Sequence, residues 1–370
     1  MKHIVLMGLD RPNYILADKY LISTFNPTNY LCSNEIRYTY VLDMLWRGNY
    51  EQTTKDILGI HRQKILERHK IYAKMLDDFV EKYANVDIIV ANWFNPFHPE
   101  WLIKKFPNAV KIYGCIDDPV AIYQRRLNSL WAFDAAFYIS PSYDKGLSMV
   151  EALELWGVSQ SYWWPLTTNK VCPDHCQAIN SSWNNRTSGV IYVGGLYGPK
   201  LDRLAELKQR LGKDFSIYGR WPLGGYAGFL GPLVGRNWLP YRVRTITQEE
   251  RQQLYLRHKI GINMHFSECR ETGNMRMYEV PFHGLMLLCN KAADGWHESI
   301  YKPGVEAVFY DDIEDAVDKA TYYLKHDSER EKIARAGFER ACKDYDADKC
   351  LEDFLDWAST VKIKSSRKVL

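Results

Sequence analysis

Apolar residues in this chain come in short runs separated by longer stretches with one polar face, and that alternation sets its organisation. In the first half, residues 3–9, 86–92, 110–116 and 135–139 are such runs. Runs this short, rich in Val, Ile and aromatic residues, fit strands of a parallel sheet covered on both faces. From about residue 53 to 83, Ile57, Ile60, Ile65, Tyr72, Met75, Leu76 and Phe79 recur at near-helical spacing and predict a long helix. Residues 144–155 predict another helix and 160–166 a last strand. The chain then turns polar from about 167 to 188, with no periodic apolar face, as a linker does. Beyond it, strands at 190–193, 215–218, 260–264 and 285–289 alternate with helices at 199–211, 248–257, 275–282, 312–325, 329–343 and 348–361. This βα alternation predicts an α/β protein of two domains, 1–167 and 189–346, joined by a linker at 168–188. A last helix and a basic tail occupy 347–370.

A length of 370 residues suits two such domains. The net charge of +3 makes no electrostatic case for nucleic acid or an anionic membrane. The apolar run at the N-terminus spans only six residues, 4–9, too short for a signal-peptide core or a membrane span. A cytoplasmic protein with no stable membrane insertion is therefore the expectation. The eight cysteines show no disulfide rhythm, and Cys115, Cys269 and Cys289 lie in or beside apolar segments, as reduced core cysteines do. Cys172-Pro-Asp-His175-Cys176 lacks a second pair of suitably spaced ligands nearby, so no metal site is expected.

The segment Glu271-Thr-Gly-Asn-Met-Arg-Met-Tyr-Glu279 carries the most chemistry. A helix starting near Asn274 leaves unpaired backbone N–H groups and a partial positive charge at its N-terminus, where a diphosphate can rest. Arg276 in the first turn adds a fork of donors, and the two carboxylates are left to accept from sugar and ribose hydroxyls. The plainer alternative makes Glu271 a solvated loop acid and Glu279 a helix-surface residue. A second glycine-rich turn, Val193-Gly194-Gly195 with Lys200 beyond it, follows a strand and lets the backbone approach a phosphate. Arg220 follows the next strand, and Asn263 and His265 stand at a strand's carboxyl end. His265 is either catalytic or a hydrogen-bonded structural residue. Asp117 and Asp118 close the third strand and either meet acceptor hydroxyls or cap the following helix.

These residues resemble the donor-binding motif of the retaining group 1 glycosyltransferases, and most of all the spore-maturation-protein-like (CgeB-like) branch. There, Asn-x-Arg-x-aromatic-Glu precedes a small-residue turn and a hydrophobic strand. Here the pattern reads Asn274-Met275-Arg276-Met277-Tyr278-Glu279, then Gly284 and Leu285–Cys289. Gly194 and Lys200 keep the spacing of that group's turn glycine and basic residue, whereas Gly195 stands where an Arg is common. The resemblance covers about residues 189–354 and implies a GT-B fold: two Rossmann-like domains, an interdomain cleft, and a C-terminal helix crossing back to the first domain. It implies transfer of a sugar from a nucleoside-diphosphate sugar, with a UDP-sugar favoured, to an acceptor hydroxyl with retention of configuration and without metal or cofactor.

By the same resemblance, Glu271 meets the transferred sugar and Glu279 the ribose, Arg276 and Lys200 the diphosphate, and Asn274 phosphate or sugar. Gly194, Gly195, Arg220, Asn263 and Met275 complete the donor side, with His265, Asp117 and Asp118 as further catalytic candidates. Three other readings stay open: a sugar-nucleotide epimerase, a non-catalytic sugar-nucleotide-binding protein, and a transferase acting on nucleic-acid bases. No residue names the acceptor or the oligomeric state.

Overall fold

The computed structural model describes residues 1–8, 13–31, 62–91, 97–115, 127–144, 146–168, 170–196, 200–219, 243–265, 274–292 and 295–364. The chain forms two compact units, Met1–Trp164 with Glu352–Leu370, and Pro165–Leu351.

The first unit holds β1 (Lys2–Met7), β2 (Tyr14–Leu16), β3 (Tyr20–Phe25), α1 (Arg62–Tyr83), β4 (Ile88–Ala91), α2 (Pro99–Lys105), β5 (Val110–Cys115), β6 (Ala135–Tyr138), β7 (Ser142–Asp144), β8 (Leu147–Ser148), α3 (Met149–Leu155) and β9 (Ser161–Trp163). Its main sheet runs β2-β3-β1-β4-β5-β6-β9. All its neighbours are parallel except β2 and β3. The predicted apolar stripe of α1 is buried at Tyr72, Met75, Leu76 and Phe79. Phe79 packs on Phe97 at 4.6 Å and on Phe25 at 4.9 Å between ring centroids. The earlier part of the predicted helix, with Ile57 and Ile60, lies outside the described residues. The helix expected from residue 144 starts only at Met149, after the β7–β8 hairpin. Ser148 accepts from the Glu151 N–H while the Glu151 carboxylate accepts from the Ser148 N–H, and this capping box fixes the start.

The second unit holds α4 (Pro173–Ser182), β10 (Ser188–Val193), α5 (Lys200–Leu211), β11 (Phe215–Tyr218), α6 (Gln248–Arg257), β12 (His258–Asn263), α7 (Met275–Phe282), β13 (Met286–Asn290), α8 (Trp296–Ile300), β14 (Val308–Tyr310), α9 (Ile313–Lys325) and α10 (Asp327–Asp344). Its sheet is wholly parallel in the order β11-β10-β12-β13-β14. The order reverses between β10 and β12, and such a switch point leaves a crevice at the strands' carboxyl ends where ligands of open α/β sheets bind. The segment read as a linker, 168–188, carries α4 instead. Pro173 sits in its first turn, most of its polar residues are exposed, and Ile179 and, just past its end, Trp183 enter the second unit's core. A helix with so few inward apolar residues shows no periodic stripe in sequence.

Arg186, just before β10, ties this unit together. Its Nη1 donates to the carbonyls of Tyr255 and His258 at 2.8 and 2.7 Å, and its Nη2 to the His283 carbonyl at 2.8 Å. It thus caps the carboxyl ends of α6 and α7 together, where the helix dipoles are negative. Burial lowers its pKa to about 10, with Arg330 adding repulsion. Gly284 ends α7 in the left-handed region at φ +71°, and a side chain there would press on Ile179, Arg186 and Trp183.

The last helix, α11 (Ala347–Ala358), carries the chain from the second unit's residues into the first unit's. Phe354 stacks on Trp164 at 4.2 Å and Trp357 on Tyr162 at 5.0 Å. Beyond it, the Lys362 N–H donates to Gln160 Oε1 and the Lys364 N–H to Asp134 Oδ1.

Buried histidines make the fold acid-sensitive. His283 donates from Nδ1 to the Glu279 carbonyl, and burial pushes its pKa from 6.5 down to about 4. Burial also lowers His258 and His175. The unfolded chain takes up these protons first, so stability is full above pH 6.5 and falls as pH drops toward 4. From His283 alone the loss is about 3 kcal/mol. Urea unfolding at stepped pH is expected to show that decline, and His283→Gln to flatten it.

Candidate functional site

The second unit's switch point is filled by one arginine. Arg276 stands in the first turn of α7, whose N-cap is Asn274, the Asn274 Oδ1 accepting from the Arg276 N–H at 3.0 Å. The guanidinium reaches between the ends of β10 and β12. Its Nε donates to Asn263 Oδ1 at 3.1 Å, its Nη1 to the Val193 carbonyl at 3.1 Å and its Nη2 to the Met264 carbonyl at 3.5 Å. Its flat face lies over the Tyr192 ring, 4.5 Å from the centroid. Gly194 makes room for it, since a Cβ there would overlap Arg276 Nη1. Gly194 thus leaves the space that Nη1 occupies, and the two motifs expected separately form one assembly.

Around it lie the other expected donor residues. Lys200 begins α5 and is buried. The Gly195 carbonyl accepts from the Tyr192 hydroxyl at 3.1 Å. Asn263 is buried, its Nδ2 donating to Cys289 Sγ at 3.4 Å. Glu279, one turn beyond Arg276, pairs with Arg251 of α6 at 3.0 Å and is mostly buried. Burial raises its carboxyl pKa while Arg251 and Arg276 pull it back down. Met275 is half exposed.

His265 is buried. Its backbone N–H and its Nδ1 both meet Asn290 Oδ1 at 2.9 Å, and its ring stacks on His297 at 3.8 Å. Burial holds its pKa well below the ordinary value, with His297, Arg276 and Lys200 adding repulsion, so the ring is neutral at physiological pH. Glu271, Arg220, Asp117 and Asp118 lie outside the described residues.

The structure brings Gly194, Asn263, Asn274, Arg276 and Glu279 together from three elements. It also adds residues the sequence did not single out. Tyr192, Arg251 and Asn290 each hold one of the expected groups. Asn290 had one visible signal, a polar residue closing an apolar strand. Arg251 had none, since a basic residue in a charged helix reads as a solvated face.

Residues 201–356 match a family model described as glycosyl transferase-like. No curated protein matches the sequence. Among solved structures, the chain is similar to a sucrose-phosphate synthase from Thermosynechococcus elongatus at 13% identity and TM-score 0.60, covering 96% of this chain and 98% of that one. It is similar to HepE from Anabaena in complex with UDP-glucose at 12% identity and TM-score 0.55, covering 97% and 100%. A UDP-forming α,α-trehalose-phosphate synthase from Burkholderia xenovorans shows 12% identity and TM-score 0.59, covering 98% and 100%. With these structures the chain shares the GT-B fold of two Rossmann-like domains. Among the described residues, no helix is long and apolar enough to cross a membrane.

The overlap of Gly194 with Arg276 is testable without ligand. Gly194→Ala is expected to cost about 1–3 kcal/mol of stability by overpacking. In an Arg276→Met background the same change is expected to cost at least about 1 kcal/mol less, as coupled neighbours do. Urea denaturation of the four proteins measures the cycle.

Proposed function

We propose that this chain is a glycosyltransferase that takes a nucleoside-diphosphate sugar at the carboxyl ends of β10 and β12. The observation that carries this reading is Arg276, buried and fastened at the switch point beside the Gly194-Gly195 turn and the α7 N-terminus. A charge set in place before the ligand arrives stabilises a diphosphate without reorganisation. The family match over 201–356 supports the reading, as does the UDP-glucose held by one protein of the same fold. A UDP-sugar is accordingly the donor class in this reading.

In this reading Arg276, Lys200 and the α7 N–H groups face the diphosphate, and no metal bridges it. Arg251 holds Glu279 Oε1, leaving Oε2 to accept from a ribose hydroxyl. Glu271, three residues before the helix cap, accepts from the transferred sugar, and Asp117 and Asp118 serve the acceptor. The bond between the anomeric carbon and the phosphate oxygen breaks on the face where the acceptor oxygen bonds. The departing phosphate takes the acceptor's proton, and configuration is retained.

The test incubates the full chain with a panel of sugar nucleotides without acceptor and quantifies free nucleoside diphosphate. Slow release from one donor is expected, unchanged by added magnesium or manganese and reduced at least tenfold in Glu271→Ala. Silence and absence of binding across the panel would overturn the function. Full release by Glu271→Ala would overturn the site assignment alone.

A further inference from the structure

Helices α4 and α10 of the second unit meet in an antiparallel register that contacts at both ends define. Just past the end of α4, the Trp183 ring lies 4.6 Å from the Arg335 guanidinium and 6.3 Å from the Phe338 ring. Just before α4, the Val171 N–H donates to Asp346 Oδ2, beyond the end of α10, at 2.6 Å. Between these contacts the register sets Cys176 of α4 against Cys342 of α10. Both are free cysteines, partly buried, and both pack on the second unit's core. The Cys342 thiol is within hydrogen-bonding reach of the Cys176 thiol.

We propose that Cys176 and Cys342 form a redox modification site, a dithiol that a small-molecule disulfide of the glutathione class closes to a disulfide between α4 and α10. Burial pushes the Cys342 thiol up to about 12, with Cys176 adding to the rise. The thiolate is the attacking form, so Cys342 is the poorer group to start the exchange. Cys176 attacks the oxidant's disulfide and expels one thiol, and Cys342 then attacks Cys176 Sγ and expels the second. Two cysteine S–H bonds and the oxidant's S–S bond break, while the protein's S–S bond and two S–H bonds on the oxidant form. The two electrons pass from the cysteine sulfurs to the oxidant, and reducing surroundings keep the pair open.

The bridge lies beside the carboxyl end of α7. His175, next to Cys176, contacts the Phe282 carbonyl through Nε2 at 2.8 Å and stacks on the Phe282 ring at 4.1 Å. Phe338, one turn before Cys342, meets the His175 ring at 6.2 Å. Closing the disulfide therefore clasps the two helices that bear on the end of α7 opposite Arg276. Cys172, exposed one turn before Cys176, is the rival partner.

The test equilibrates the folded full-length chain with glutathione from fully reduced to fully oxidised, blocks free thiols and maps tryptic peptides by mass. A peptide of residues 171–186 joined to one of residues 341–343 is expected under oxidising conditions and its loss with dithiothreitol. The oxidised chain is expected to show a higher urea midpoint than the reduced one. Cys342→Ser is expected to lose both the joined peptide and the midpoint shift and to carry glutathione instead. Cys172→Ser is expected to keep both. Closure of Cys172 on Cys176 within one peptide overturns the site, as does glutathione on the wild-type chain without any joined peptide. A joined peptide that disappears in Cys172→Ser, or that forms only in urea, overturns it too. If Cys342→Ser fails to fold, the wild-type map and Cys172→Ser still decide.

Discussion

The guanidinium of Arg276, lodged between the ends of two parallel strands, is the constraint on which the second unit's site depends. Burying a guanidinium is unfavourable unless its donors are met, and here Val193, Asn263 and Met264 meet them. The planar fork suits this arrangement where a lysine would not, because three nitrogens point to three fixed acceptors while the face rests on Tyr192. Gly194 suits the same geometry, since a Cβ there would lie on Arg276 Nη1 and force the guanidinium to shift.

Arg276 can hold that position only if α7 is held first. Two anchors do so at opposite ends of the helix. Asn274 fixes the N-terminus through its side chain. Arg186 takes the His283 carbonyl at the other end and binds α6 through Tyr255 and His258 with the same guanidinium. Arg251 of α6 then reaches Glu279 of α7 across the helix pair that Arg186 has joined. One buried cation orders the helices, and a second uses the order to present charge.

Much of the donor half was legible because its signals are local. The helix start near Asn274, the apolar run ending at Cys289 and the glycine turn after β10 each occupy a few neighbouring residues, and the resemblance joined them. What escaped reading was long-range or unsignalled. The β2–β3 hairpin turns through Ala17 and Asp18 at positive φ, without the glycine or asparagine that usually announces such a turn. The helix α4 buries too little to show a stripe. The pairing of Arg251 with Glu279 and the service of Asn290 to two histidines depend on tertiary contact, which no spacing records.

The same logic explains why the sequence speaks about a donor and stays silent about an acceptor. A diphosphate is recognised by backbone N–H groups, a glycine turn and a buried arginine, and these are demands on topology that recur wherever a parallel sheet reverses its order. An acceptor is recognised by side chains on loops, which tolerate replacement without disturbing the sheet that carries them. In the first unit the strands β4 and β5 end at Ala91 and Cys115, and the candidate acidic pair Asp117-Asp118 comes after the second of them. The strands' burial fixes where those loops begin. It places no demand on what they bind.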